Sequence, residues 1–516
     1  MVSTRRLLLT AALAGAATIG LSHRAGAAVG LPANVVTFTP NDASVQTYPS
    51  VQYGPGGSST TGQTSWRVVN GLGNGAEKFV GTTPTGRITD LGGRYLTFSD
   101  DNGVSWLQAQ PTNPLVNAEG AVAWAPNGDI VGVTWDPYGG DRLYAYKYDA
   151  AAQQWLYLQN PDTPFYDRPE IAVIPGPLTV PVTGGGTQSV PYISLVSSHG
   201  SPVSYSTDGL SYTNLVGDGS SSPVTQWLPH PGDPNLDWVQ SQTWSNMRAL
   251  GGGWALDYSG GGGAEDYNLT DNLSSSSLLL FNPSDLALHP LTLPGASFLT
   301  KTSTVQVDSL GRIHGIAVHS DRQGFDYDIS ADGGQTWATL SVSSPPFEKI
   351  NSNTGGDVFD LRVDAHLGIA ALVTRTDVGS ASNPPGAGDP EQDYVYKFDI
   401  SGPTASLLTR YNVGLGNTTV DTAYLGSYET GGHRYDFASI ALLPDGRVVT
   451  SFMDESTHMP FPSAGNDIEA SAVAIEQPSQ EAVTPESPWA AALPLTAGAV
   501  LVAGISLRRR RLRRAR

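Results

Sequence analysis

An all-β fold, a β-propeller of four-stranded units set around a channel, is predicted by three observations. One turn-and-strand motif returns along most of the chain. The 59 Gly and 37 Pro among 516 residues punctuate short β-branched and aromatic runs. Helical periodicity is nearly absent outside the two termini.

The recurring motif is a turn, a Gly and then alternating apolar residues, the pattern of a half-buried strand. It reads Asp90–Phe98, Ala125–Val133, Leu250–Leu256, Asp308–Ile316, Asp364–Leu372 and Leu443–Ser451. The wider gap between 133 and 250 leaves room for one more copy, Ser189–Val196. Tyr146-Lys-Tyr-Asp149 and Tyr396-Lys-Phe-Asp399 fall about one strand later in two of the units. Regular units at such spacing form an array, and four strands per unit form blades. The copies favour seven blades, with six as the alternative.

Two stretches match a tighter pattern, S-x-D-x-G-x-[ST]-W. They run Ser99 to Trp106 and Ser330 to Trp337, with Asp101 and Asp332, Gly103 and Gly334, and the two Trp in register. Such spacing suits a tight hairpin. The Asp accepts hydrogen bonds from N–H groups of its own turn, Gly takes a φ other residues avoid, and Trp opens the return strand. Ser206–Tyr212 is a degenerate third copy, one residue short and with Tyr for Trp. These residues resemble the Asp-box (BNR repeat) of sialidase-like β-propellers. The resemblance implies a structural corner distant from any active site.

The ends predict export and anchoring. Residues 1–28 carry Arg5-Arg6, an apolar run from Leu7 to Leu21 and the small-residue site Ala25-Gly-Ala27. That is the layout of a signal peptide, and Thr4–Leu9 resembles a twin-arginine signal, so export by the Sec or Tat route is expected. Residues 29–475 form the expected ectodomain. Residues 476–488, rich in Pro, Glu and Ser, read as a disordered stalk. Residues 489–507 lack charge and are long enough to span a bilayer, and 508–516 hold seven Arg that stay on the cytoplasmic side. Leu493–Ala497 resembles a sortase signal with Ala where Gly is usual, but cutting there would leave too short a span. The chain has no Cys and therefore no disulfide.

With three Arg in the first 28 residues and seven in the tail, 18 basic residues face 47 acidic ones between them, a net charge of −29. Nucleic acid is excluded as a partner on that balance. Solubility alone would also account for the acidity. A monomer is expected.

Propeller ligands sit at a channel mouth, reached from the starts of the innermost strands. Those starts supply Glu119, then Asp167, Arg168 and Glu170, then Arg248, Lys301, Asp357 and Asp360, then His433, Arg434, Tyr435 and Asp436. Recurrence of charge at one position in successive units makes them the candidate ligand site. The bland alternative is that strand starts are polar because they are wet. From the sialidase resemblance, Arg168, Arg248 and Arg434 would hold a substrate carboxylate, Tyr435 would be the nucleophile, Glu170 its partner and Asp436 the acid. The family's Arg-Ile-Pro motif is missing: the matching region reads Gln46–Gln52, and Arg87-Ile88 is followed by Thr. Exo-sialidase activity is disfavoured accordingly, because a bidentate Arg–carboxylate contact is hard to replace. Other glycoside hydrolysis needs only two spaced carboxylates.

His314 and His319 lie too far apart on an extended strand to share an ion, so no metal site is expected. The acidic segments 389–393 and 454–455 could take Ca²⁺ but lack EF-hand or RTX spacing, and no cofactor is expected. Trp135–Tyr138 puts an aromatic and an acid on a loop suited to stacking on a sugar. The sequence therefore predicts a membrane-anchored surface propeller that binds or trims an extracellular carbohydrate or surface protein. The alternatives are a carboxylate-dependent glycoside hydrolase and a scaffold without catalysis.

Overall fold

The glycine turns set the architecture, so they come first. In Thr83–Arg87, Ala125–Asp129, Val182–Gly186, Asp308–Arg312 and Leu443–Arg447, the first N–H donates to the fifth carbonyl. The fourth N–H, always a Gly, donates back to the first carbonyl. That fourth residue has φ between 77° and 95° in every copy, a conformation that costs any residue with a Cβ. Each turn joins the first two strands of a sheet. Asp364 makes the related turn with its side chain, accepting from Leu367 N–H at 2.8 Å.

The computed structural model describes residues 35–40, 42–54, 57–70, 72, 78–92, 95–109, 120–136, 142–164, 170–182, 185–197, 203–214, 248–251, 254–257, 279–290, 303–319, 323–344, 359–377, 390–413, 418–419, 439–460 and 467–478. Among them there is no helix, and all sheet pairings are antiparallel. Four sheets are plain four-stranded meanders. One runs from Gly120–Trp124 to Gln154–Pro164, the next from Glu170–Pro181 to Thr213–Asn214. The others run from Arg248–Gly251 to Ala287–Pro290 and from Ser303–Val307 to Ala338–Ser343. A fifth, Lys78–Thr82 to Trp106–Ala109, gains Val35–Phe38 on its outer edge.

The sixth sheet has ten strands and contains two sets of four. One set is Phe359–Asp364, Ile369–Asp377, Pro390–Asp399 and Ser406–Asn412. The other is Ser439–Leu442, Val448–Pro460, Asp467–Glu476 and, from the other end of the chain, Ser59–Asn70. Asp42–Tyr53 bridges them, pairing with Ser59–Asn70 along its length and with Thr409–Tyr411 through Ser50–Gln52.

The first strands pack in a closed cycle. Lys78–Thr82 lies beside Gly120–Trp124, followed by Glu170–Pro181, Arg248–Gly251, Ser303–Val307, Phe359–Asp364, Ser439–Leu442 and Lys78–Thr82 again. Apolar cores sit between neighbouring sheets. Phe98, Tyr146, Trp155 and Ile171 share one, Ile316, Phe325, Leu361 and Phe398 another. Trp66, Val373, Tyr411 and Ile440 fill the seam inside the ten-stranded sheet, and Val80, Trp106, Leu443 and Ile475 the seam beside it. A ring of antiparallel sheets packed face to face is propeller architecture.

Three expectations need correction. The motif copy at Asp90–Phe98 spans the second and third strands of its sheet, and the equivalent turn is Thr83–Arg87. Ser189–Val196 is a second strand, and its turn is Val182–Gly186. Both slips arose because Thr85 and Gly184 stand before the turn glycine where Asn127 and Asp445 stand in the copies that read clearly. Glu476, placed at the start of the stalk, instead ends the last strand and is buried. Residues 1–28 and 479–516 lie outside the described residues, among which no helix is long and apolar enough to cross a membrane.

Candidate functional site

The S-x-D-x-G-x-[ST]-W segments form one structure twice, each time between the third and fourth strands of a sheet. Ser99 Oγ donates to Asp101 Oδ1 at 2.9 Å and accepts from Gly103 N–H at 2.9 Å. Asp101 then takes the Ser105 N–H and hydroxyl at 2.8 and 2.6 Å. Trp106 closes the turn through Nε1 to the Gly103 carbonyl at 3.2 Å. Ser330, Asp332, Gly334, Thr336 and Trp337 repeat every one of these bonds within 0.1 Å. In the third copy Ser206 Oγ donates to Asp208 and accepts from Gly209 N–H, Asp208 takes the Ser211 N–H, and Tyr212 bonds Ser194 at 2.7 Å in place of the indole contact. Burial works against ionisation of Asp101, but the donors from Ser105 outweigh it and hold the carboxyl low. Thr336 holds exposed Asp332 at about 2. Both carboxylate oxygens of Asp101 and of Asp332 are spent on their own turns, so these segments are corners.

The same corner position carries a simpler device in other sheets. Asp149, Asn282 and Asp399 end third strands and accept from N–H groups two or three residues on. The two Tyr-Lys-aromatic-Asp repeats thus belong at the place of the S-x-D-x-G-x-[ST]-W turn.

The charged strand starts are positioned as follows. Glu170 and Arg248 are the first residues of their inner strands. Glu119, Asp167, Arg168, Lys301, Asp357, His433, Arg434, Tyr435 and Asp436 lie outside the described residues, all within six residues of an inner strand. Asp360 is on its inner strand and only 4% exposed. Its Oδ1 takes Arg362 Nη1 at 2.7 Å, and its Oδ2 takes the Ile440 N–H of the neighbouring inner strand at 3.0 Å.

Similar polar stitches join other inner strands, and sequence reading missed them. Val80 N–H donates to Ser439 Oγ at 3.2 Å and Thr82 Oγ1 to the Leu442 carbonyl at 2.5 Å. Gln306 Nε2 and Arg362 Nη1 both donate to the Leu361 carbonyl. Burial lowers the Arg362 pKa against the pull of Asp360. The available signal was the alternation Asp360-Leu-Arg-Val-Asp364, polar on one face and apolar on the other.

His314 proves to be structural. It is fully buried, bonded at 2.9 Å to Asp308 and at 2.9 Å to Tyr327. Asp308 also takes Arg312 Nε at 2.6 Å, and Arg312 reaches the Ile400 and Gly402 carbonyls of the next sheet. Burial raises Asp308, but His314 and Arg312 outweigh it and keep the carboxyl low. Buried polar groups satisfied in this way lock two sheets in register. His319 pairs separately with Asp326 at 2.9 Å. Among the described residues no group of three or more His, Asp or Glu is placed to hold a metal ion. The side chains of Trp135 and Asp136 and the loop after them lie outside the described residues.

No protein-family model matches the chain. No curated protein matches it either. Among solved structures it is similar to the phage phi92 endosialidase, at 11% identity and TM-score 0.35, covering 80% of this chain and 68% of that one. The NanB sialidase of Streptococcus pneumoniae is similar at 12% identity and TM-score 0.32, covering 83% and 68%. A putative 6-phosphogluconolactonase from Bacteroides uniformis is similar at 10% identity and TM-score 0.34, covering 76% and 94%. Superpositions this loose carry no weight for function, and what those proteins act on is theirs alone.

Proposed function

We propose that the protein is an exported, membrane-anchored, seven-bladed β-propeller of the Asp-box type that binds an extracellular glycan or surface ligand at one channel mouth. The observation that carries this reading is a coincidence of place. The charged residues selected from the sequence fall at or just before the first strands, and the first strands form the closed inner cycle. On this reading Glu119, Arg168, Glu170, Arg248, Lys301 and Asp436 would share one rim and meet ligand groups with both signs of charge. The count of seven is supported by reading the ten-stranded sheet as two blades joined through Asp42–Tyr53. The anchor rests on the uncharged run 489–507 and the arginines behind it.

The test is a glycan array run beside a panel of fluorogenic glycosides, a sialoside included, with residues 29–485. Array binding that weakens in Glu170→Gln or Arg248→Ala supports the binding role. Turnover lost in Glu170→Gln or Asp436→Asn would make it a hydrolase. Silence in both assays would remove the carbohydrate reading and leave a protein scaffold.

A further inference from the structure

Among the described residues, the hairpin of Asp42–Tyr53 and Ser59–Asn70 has one edge left open. Asp42–Tyr53 pairs along the full length of its partner. On the other side, Asp467–Glu476 reaches only Trp66–Asn70, and Gln477 N–H extends the ladder to the Ser65 carbonyl at 2.8 Å. Residues 59–63 beyond that point are exposed and offer a bare strand edge of Ser, Thr, Thr, Gly and Gln. No Lys, Pro or bulge blunts it, although natural proteins usually protect such edges.

The chain itself leaves Pro478 at the foot of that edge. We propose that residues 479–483 continue the last strand along Ser59–Gln63, covering the edge with the protein's own tail. Register decides the matter residue by residue. Gln477 opposite Ser65 is a hydrogen-bonded pair, so hydrogen-bonded positions recur at every second residue. Ser479, Glu481 and Val483 then face Gln63, Thr61 and Ser59, and each has an N–H to give. Pro478 falls opposite Thr64 at a non-bonded position, where its missing N–H points away from the hairpin. The next proline, Pro485, would fall on a bonded position, and the hairpin strand ends at Ser59, so ladder and edge stop together. Tethering makes the encounter intramolecular, which favours the chain's own segment over a free peptide. Pairing of this kind carries the tail to the hairpin tip before it departs toward residues 489–507.

Disulfide trapping in the full chain tests this, since the chain has no Cys of its own. Thr60→Cys with Ala482→Cys occupies a non-bonded pair whose Cβ atoms come close enough to bridge. Thr60→Cys with Val483→Cys puts the thiols on opposite faces. The expected result is a complete intramolecular bond in the first pair and loss of it in the second. Equal bonding in both, or none, would overturn the register. Disulfide-linked dimers would give the edge to a second copy and overturn the proposal too. Hydrogen exchange supplies an independent readout: Thr61 and Gln63 amides should be protected, lose protection in the Ser479→Pro, Glu481→Pro double variant and keep it in Gln480→Pro. Unprotected Thr61 and Gln63 amides in the unaltered chain would rule the pairing out.

Discussion

Glu476 accepts the Tyr411 hydroxyl at 2.9 Å across the seam between the two halves of the ten-stranded sheet. The same carboxylate takes Lys397 Nζ at 3.2 Å and Val448 N–H at 2.9 Å, while its own carbonyl takes Arg447 Nη1 at 3.0 Å. Arg447 goes on to Asn102 at 2.8 Å, inside the Ser99–Trp106 turn. One residue at the end of the last strand therefore holds three sheet segments together.

Glu476→Ala should destabilise the fold by about 3–5 kcal/mol, because it leaves a lysine and a buried N–H without their anion. Tyr411→Phe should cost only about 1 kcal/mol, since it removes a single hydrogen bond. Denaturant melts of the two variants check the ranking. Equal losses would mean the carboxylate is not the hub.

Gly103 and Gly57 have nearly the same backbone, with φ of 76° and 79°, in different surroundings. A Cβ on Gly103 would meet Ile475 Cδ1 at 2.3 Å, whereas one on Gly57 meets nothing within 4 Å. Gly57→Ala should cost about 1 kcal/mol for its φ alone. Gly103→Ala should cost at least about 2 kcal/mol more, as overpacking joins the strain. Thermal melts of both variants measure the difference.

Asp332, held at about 2 against an ordinary 3.8, contributes stability that is complete above the unfolded value and is lost as pH falls through the folded one. The slope of stability against pH should therefore lie between about pH 4 and about pH 2 and flatten there in Asp332→Asn. Carboxyl NMR titration reads the same group directly. A midpoint near 4 would contradict the corner geometry.

Asp308→Ala should be severe, about 3–5 kcal/mol, because Arg312 would lose its buried counter-charge and His314 a hydrogen-bond partner. Tyr327→Phe should cost about 1 kcal/mol and leave ligand binding unchanged. Binding lost in Tyr327→Phe at full stability would move this network from scaffold to site.

Sequence reading reached the repeats, the corners and the ends of inner strands because each is local: Gly turns, Asp caps and alternation act within a few residues. It could not reach Asp360 with Ile440 or Val80 with Ser439, which meet only after the ring closes. It misplaced Glu476 because a stretch rich in Glu and Pro reads as solvent-loving, while this Glu has a hydroxyl, an ammonium and an N–H waiting for it. The shift from Asp90 to Thr83 has a similar origin, since Gly92-Gly93 advertises a turn more loudly than Pro84-Thr85 does.

Ser59–Asn70 pairs with Asp467–Glu476, two strands that most of the other sheets separate along the chain. A ribosome must therefore release Asp467–Glu476 before the ring can shut. Until then one early strand waits without its neighbour, exposed to chaperones and to other copies of itself. Whatever meets the chain during that wait must keep the strand from pairing elsewhere until the ring is finished.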